Sequence, residues 1–340
     1  MWQPNKEGKA GYMILAGDVG GTSTRLAFFT VESGRLNLVI EKDYPSRRHK
    51  SLDEIVGEFV SHHRLAVEYA CFGIAGPVQH GRVETPNLPW VVNQEALSRE
   101  LRIESVWLIN DLLANTYGIL ALEAKDFVVL NAGSANASGN AAVISTGTGL
   151  GEAGAYWDGK QYHPFACEGG HADFAPRNEL EIDLLKYLLA KFGHASWERV
   201  VSGPGLRNIF DFLRETGRGE APVWLIAEME GKDPSAVISQ AALEGKSELC
   251  VQALDLFISC FGAEAGNLAL KFLASGGVFV GGGIAPKIIQ RLRGQTFIEA
   301  FTDKGRFKHL LEAVPVRVIL NDKTALLGAA RYAGLQASLI

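Results

Sequence analysis

Two runs rich in glycine and threonine have the residue types of a phosphate cradle: Gly17-Asp18-Val19-Gly20-Gly21-Thr22 and Thr146-Gly147-Thr148-Gly149-Leu150-Gly151. Glycines lack a Cβ, so backbone N–H groups and nearby hydroxyls can approach phosphate oxygens closely. Each run lies between apolar stretches of β type, residues 12–16 and 25–31 for the first, 141–145 and 153–157 for the second. A dinucleotide fingerprint or a P-loop requires a helix after its glycines, and neither glycine spacing matches. Here the chain goes strand, turn, strand both times. The first copy continues past Ser33-Gly34 into residues 36–40, and the second turns at Asp158-Gly159 into Gln161-Tyr162. Two unrelated hairpins with glycines for turn geometry would account for either copy alone. The pair predicts two similar halves that grip one polyphosphate from opposite sides. A third glycine turn, Gly282-Gly283-Ile284-Ala285-Pro286, follows the apolar run 276–281.

Acid–base and hydrogen-bonding groups lie between these turns. Asp111 follows Asn110 at the carboxyl end of the apolar run 106–109. A carboxylate just past a parallel strand faces the crevice where α/β proteins bind ligands, and there it can take a proton from an attacking hydroxyl. The competing role for Asp111 is to cap a helix that starts at Leu112. Glu168-Gly169-Gly170-His171, followed by Asp173, sets acceptors and an imidazole around a flexible pair of glycines. Such groups can converge on the hydroxyls of a polyol, whereas one Glu and one His are too few to hold a metal. Glu198 opens the run Glu198-Arg199-Val200-Val201-Ser202-Gly203-Pro204-Gly205, and alone it reads as a helical surface residue paired with Arg199.

The elements that must position these groups alternate between apolar strands and helical patterns, as in an α/β protein. Residues 70–74 and 106–109 read as strands, residues 182–192 as a helix with Leu184, Leu185, Leu188, Leu189 and Phe192 on one face. A short helix over 324–333 follows Asn321-Asp322, either of which could cap it. With 340 residues the chain is long enough for two domains. A net charge of −5 leaves no basic footprint for nucleic acid; Lys304, Arg306 and Lys308 read as a solvated face. The longest apolar stretch, 251–273, is interrupted by Asp255, Glu264 and Lys271, so no membrane span is expected. Residues 1–11 are polar, without the apolar segment of a secretory leader, and are expected to be loosely ordered. Cys71, Cys167, Cys250 and Cys260 have no zinc-type spacing and read as reduced thiols, mostly buried. No resident metal site is expected.

Taken together, Gly17 to Thr22 with Arg25, Leu108-Ile109-Asn110-Asp111, the turn from Ser145 to Gly151, Glu168-Gly169-Gly170-His171-Ala172-Asp173-Phe174-Ala175-Pro176, the run from Glu198 to Gly205, and Gly281 to Pro286 follow the order and spacing of bacterial glucokinases. From about Tyr12 to the C-terminus the chain resembles that family. It resembles the zinc-free branch, because it lacks the Cys-rich motif of related sugar kinases and the helix-turn-helix of their repressor relatives. Ser23 stands where many relatives have Asn, a small polar exchange.

The resemblance implies a two-domain sugar-kinase/actin-like (ribonuclease H-like) α/β fold with mixed sheets and a central cleft. The small domain would take 12–121 plus 322–340 and the large domain 122–321, after a flexible tail over 1–11. It implies ATP-dependent phosphorylation of glucose at the 6-hydroxyl, the entry step of glycolysis, by a cytoplasmic homodimer using ATP and Mg²⁺. Asp111 would be the base, with Asn110, Glu168, His171 and Glu198 on the other hydroxyls. Gly17, Asp18, Val19, Gly20, Gly21 and Thr22 would enclose the phosphates together with Thr146, Gly147, Thr148 and Gly149. Gly282, Gly283, Ile284 and Ala285 would border the adenosine, and Asp18 would face hydrated Mg²⁺. A kinase for mannose or fructose is the nearest alternative. A silent sugar sensor is the alternative from another class, and its expected mark, loss of the base or of a phosphate turn, is missing from the sequence.

Overall fold

A computed structural model describes residues 12–85 and 88–340; the tail read over 1–11 lies outside the described residues. The chain divides into two compact units, residues up to Glu123 with Lys323–Ile340, and Ala124–Asp322.

The first unit opens with the meander β1 (Tyr12–Val19), β2 (Ser23–Glu32) and β3 (Arg35–Pro45), all antiparallel. Helix α1 (Leu52–His63) then leads to β4 (Tyr69–Ile74), which pairs with β1 in parallel. A small hairpin, β5 (Arg82–Glu84) with β6 (Val91–Asn93), and helix α2 (Gln94–Leu101) precede β7 (Val106–Asn110) and α3 (Asp111–Ile119). The resulting sheet has the order β3-β2-β1-β4-β7. Leu15, Leu26, Phe28 and Phe72 meet α1 on one face, while Ile14, Ala16, Ala27 and Cys71 line the other.

The second unit repeats the scheme. After β8 (Phe127–Asn131), the strands β9 (Ala141–Thr146), β10 (Leu150–Trp157) and β11 (Tyr162–Cys167) form an antiparallel meander. Helices α4 (Glu179–Phe192), α5 (Gly203–Glu215), α6 (Val223–Gly231), α7 (Pro234–Leu243) and α8 (Glu248–Phe272) follow, before β12 (Gly277–Gly281) pairs with β9 in parallel. Helices α9 (Ile289–Leu292), α10 (Gln295–Thr302) and α11 (Lys308–Glu312) lead to β13 (Val316–Ile319), parallel to β12. The sheet order is β11-β10-β9-β12-β13-β8, so the first five positions reproduce those of the first unit, with β8 added antiparallel at the edge. Helix α8 is long and apolar enough to cross a membrane by composition, but 78% of its most apolar window is buried inside the protein. It is the central helix of the larger core, where Leu254, Phe257, Phe261 and Ala265 are sealed from solvent.

The last helix, α12 (Thr324–Gln336), belongs to the first unit and packs on α3. Its N-cap position is Lys323, one residue past Asn321-Asp322, and the Lys323 side chain makes no capping bond. Two glycines allow the close crossing. A Cβ on Gly328 would stand 1.7 Å from the carbonyl oxygen of Ala114, and one on Gly118 would stand 1.9 Å from that of Thr324. Gly328→Ala would gain about 1 kcal/mol of helix propensity, but overpacking a backbone contact costs about 1 to 3 kcal/mol or more. The expected result is a lower urea midpoint, against little change for Gly231→Ala at the end of α6, where an added Cβ meets nothing. A Gly328→Ala protein as stable as the parent would contradict this account of the crossing.

Candidate active site

In the first unit, the carboxyl ends of β1, β4 and β7 lie side by side and in parallel, the position at which such sheets bind ligands. The turn after β1 is shorter than the sequence predicts. Gly17 and Asp18 continue the strand, and only Gly20, Gly21 and Thr22 form the turn. Gly17 is glycine for another reason: a Cβ there would stand 2.4 Å from the Phe72 ring of β4. The turn itself is braced by Ser46, whose hydroxyl donates to the carbonyl of Gly20 at 2.8 Å and whose N–H donates to that of Thr22 at 3.0 Å. Asp18 is half-buried at the strand end, directly before this turn.

The helix-cap role goes to Asn110, not Asp111. The Asn110 side-chain oxygen accepts from the N–H groups of Leu112 and Leu113, at 2.9 and 3.2 Å. Its amide donates to the carbonyl of Gly76 at 3.3 Å. Asp111 is the first residue of α3 and half-buried, with one carboxylate oxygen 2.9 Å from the N–H of Leu112. Gly73 of β4 lets the start of α3 come close, since a Cβ there would stand 2.7 Å from that of Ala114. The cap is thus fixed by Asn110, and Asp111 stands beside it at the strand end.

In the second unit, three of the predicted segments meet around the turn Gly147-Thr148-Gly149. Glu198 lies in a single 3₁₀ turn and not on a regular helix, and it does not pair with Arg199. One of its carboxylate oxygens accepts the N–H of Leu150 at 3.0 Å, and a Cβ on Gly149 would stand 2.5 Å from that oxygen. Arg199 instead lies over the ring of Phe192. Ser202, the N-cap of α5, donates its hydroxyl to the carbonyl of Glu198 at 2.6 Å. The first N–H of α5, on Gly203, donates to the carbonyl of Gly147 at 2.8 Å, so a helix N-terminus abuts the turn. Such ends favour anions. From the other side comes Gly282, with φ +85°, where a Cβ would stand 2.1 Å from the carbonyl of Thr146. The N–H of Ile284 reaches the same carbonyl at 3.3 Å. Gly147 and Gly283 have nothing within reach of an added Cβ, so both turns present open backbone.

The turn Glu168-Gly169-Gly170-His171 rests on β10. A Cβ on Gly170 would stand 2.1 Å from the carbonyl of Leu150, the residue whose N–H holds Glu198. The N–H of Trp197 donates to the carbonyl of Ala172 at 3.0 Å, which ties the Glu198 segment to the His171 segment. Glu168 and His171 are exposed, whereas the Asp173 carboxylate is taken by His194 at 2.8 Å. The sequence reading missed Ser202 as the residue that fixes the Glu198 backbone. The available signal was Ser202-Gly203-Pro204, a hydroxyl N-cap with proline in the first helical turn.

Comparison with known proteins shows the family. Residues 15–336 match the glucokinase family. The chain belongs to the glucokinase family. Glucokinase from Nostoc sp. (strain PCC 7120) is 43% identical over 334 residues, covering 94% of this chain and 98% of its own. That from Synechocystis sp. (strain PCC 6803) is 43% identical over 348 residues, covering 95% and 98%. The crystal structure of glucokinase from an Antarctic psychrotroph superposes with a TM-score of 0.82 at 30% identity, covering 95% of this chain and 99% of that one. A ROK-family glucokinase from Streptomyces griseus, solved with glucose and AMPPNP, shares the fold at a TM-score of 0.61 and 22% identity, covering 95% and 99%. Its kinship with this glucokinase is one of fold alone. Among the described residues, no group of three or more His, Cys, Asp or Glu side chains is placed to hold a metal ion.

Proposed function

We infer that this glucokinase transfers the γ-phosphoryl group of ATP to the 6-hydroxyl of glucose. The observation that carries the reading is 43% identity to glucokinases along 94% of the chain. Support comes from two turns with open backbone and a carboxylate at a strand end. In this reading Asp111 takes the proton of the attacking hydroxyl as the oxygen–phosphorus bond forms. Glu168, His171, Glu198 and Asn110 hold the remaining hydroxyls. For Asn110 the contribution is limited, since its oxygen already caps α3 and its amide already donates once. The backbone of residues 20–22 and 147–149 and the N-terminus of α5 take the phosphates, and Gly282 to Ala285 border the adenosine.

Mg²⁺ fits Asp18 as a distant, water-mediated partner. A hard cation that keeps its waters needs only one or two carboxylates, and it enters with the nucleotide. When bound, it neutralises charge on the transferring phosphoryl group. Asp18 would orient one of its waters, while the chain itself supplies the proton acceptor and the amide cradle.

A coupled assay with a panel of hexoses tests the reading. The expected result is kcat/KM for glucose well above those for mannose and fructose, because a site that hydrogen-bonds each hydroxyl leaves polar groups unpaired around the wrong epimer. Excess EDTA should abolish turnover while leaving the circular dichroism spectrum unchanged. Equal kcat/KM values across the three sugars, or a maximum with fructose, would replace glucose as the substrate. Full activity in EDTA would remove Mg²⁺ from the account.

A further inference from the structure

Glu152 is a carboxylate in the middle of β10, with 1% of its surface exposed. Neither of its oxygens has a hydrogen-bond partner of normal geometry among the described residues. It lies two residues from Leu150, on the same face of the strand. Where the Leu150 carbonyl supports Gly170, the Glu152 carboxyl supports Gly169: a Cβ on Gly169 would stand 1.9 Å from the nearer oxygen. The glycine is thus fitted to the acid beneath it.

Ionisable groups face this carboxyl from several elements. Glu264 of α8 is fully buried close by, and Lys271 lies about two turns further along that helix. Cys167 of β11 is its antiparallel neighbour, and Glu168 follows on the turn. Glu264 has the better donors, Asn267 at 2.8 Å and Lys271 at 3.1 Å. Beyond it, Lys304 donates to Asn267 and to the carbonyl of Ala263, and itself feels Arg177, Asp303 and Glu181. Burial raises both carboxyls, and the charge of Glu264 opposes ionisation of Glu152. The charge belongs on Glu264, where the donors are, and the proton belongs on Glu152.

We propose that Glu152 is a positioning residue for the glucose-binding turn: its uncharged carboxyl is the floor beneath Gly169 that sets the backbone from which Glu168 and His171 project. The proposal rests on the reading of Glu168 and His171 as sugar ligands. Burial first, and then the Glu264 carboxylate, push Glu152 up to about 8 against the pull of Lys271. Its proton is therefore present at neutral pH and lost in mild alkali. A second negative charge in the core then displaces the turn, and glucose affinity falls while the chemical step is unchanged.

The test is the pH dependence of glucose KM and kcat for the wild type, Glu152→Gln and Glu152→Ala. From about pH 7 to about pH 9 the wild-type glucose KM should rise about tenfold, in line with the lost neutral fraction of a group titrating near 8. In Glu152→Gln, which keeps the size and an uncharged polar head, that rise should vanish. Lys304, pushed down to about 8 by burial and by Arg177, still titrates in this variant, so its influence is subtracted. Glu152→Ala should raise glucose KM about tenfold at neutral pH, with kcat within about threefold, the split expected for a ground-state binding defect. Parallel KM profiles for wild type and Glu152→Gln would overturn the proposal even if Glu152→Ala fails to fold. A wild-type protein that does not phosphorylate glucose at all would overturn this proposal and the functional reading together. Normal turnover with parallel profiles would overturn this proposal alone.

Discussion

Asp111→Asn is expected to lower kcat by about 10²- to 10⁴-fold, the usual cost of losing a general base. Glucose KM should change far less, because proton transfer is a property of the transition state. The structure separates this from a folding defect. The cap of α3 is Asn110, whose oxygen serves Leu112 and Leu113, and it is untouched by the substitution. An amide oxygen at position 111 can still accept from Leu112, as the carboxylate does at 2.9 Å. The substitution also removes a negative charge from the first turn of a helix, about 0.3 to 1 kcal/mol. The variant should therefore melt within a few degrees of the wild type while being nearly inactive. A folded Asp111→Asn protein with wild-type kcat would show that another group is the base.

Much of this architecture is legible in the sequence because the decisive signals are local. Alternating apolar residues and two glycine turns announce the meanders, and the two sheets share the order of their first five strands. Mixed α/β architecture follows from the same alternation. What escapes are features set by a partner distant in sequence. The glycine at position 17 looks like part of a turn, but the ring of Phe72, across a parallel strand pair, explains it and lets β1 run on through Asp18. Asn110 and Asp111 are adjacent and both are capping types, so only the observed bonds decide which one caps α3. Leu189, read onto the buried face of α4, is exposed, while Leu184 and Leu188 are sealed.

The candidate site divides in the same way. Residue types and order single out Glu168, His171 and Glu198, but not that Glu198 reaches a backbone N–H 48 residues away. Nor does the sequence show that Gly169 and Gly170 are shaped by the strand beneath them, since their close approaches are to Glu152 and Leu150. A lone glutamate inside an apolar strand was a visible anomaly in its own right. Burying a charge is costly unless it is paired or neutralised, and Glu152 is neutralised.

That linkage gives the largest effect expected in the second unit. Glu198→Ala removes the acceptor of the Leu150 N–H and, in the proposed reading, one ligand of the sugar. Each hydrogen bond to a charged group contributes about 1.5 to 3 kcal/mol. Losing two should lower kcat/KM for glucose by roughly 10²- to 10⁴-fold. The ATP KM should rise as well, because Leu150 follows directly on the turn Gly147-Thr148-Gly149, and without its anchor that backbone is free to shift. A residue that only touched sugar would leave the ATP KM alone. Glu198→Gln retains an oxygen acceptor for Leu150 but loses the charge, so it should weaken glucose while largely sparing ATP. Steady-state kinetics with each substrate varied in turn distinguish these outcomes. An unchanged ATP KM in Glu198→Ala would mean that the bond to Leu150 does not hold the phosphate turn.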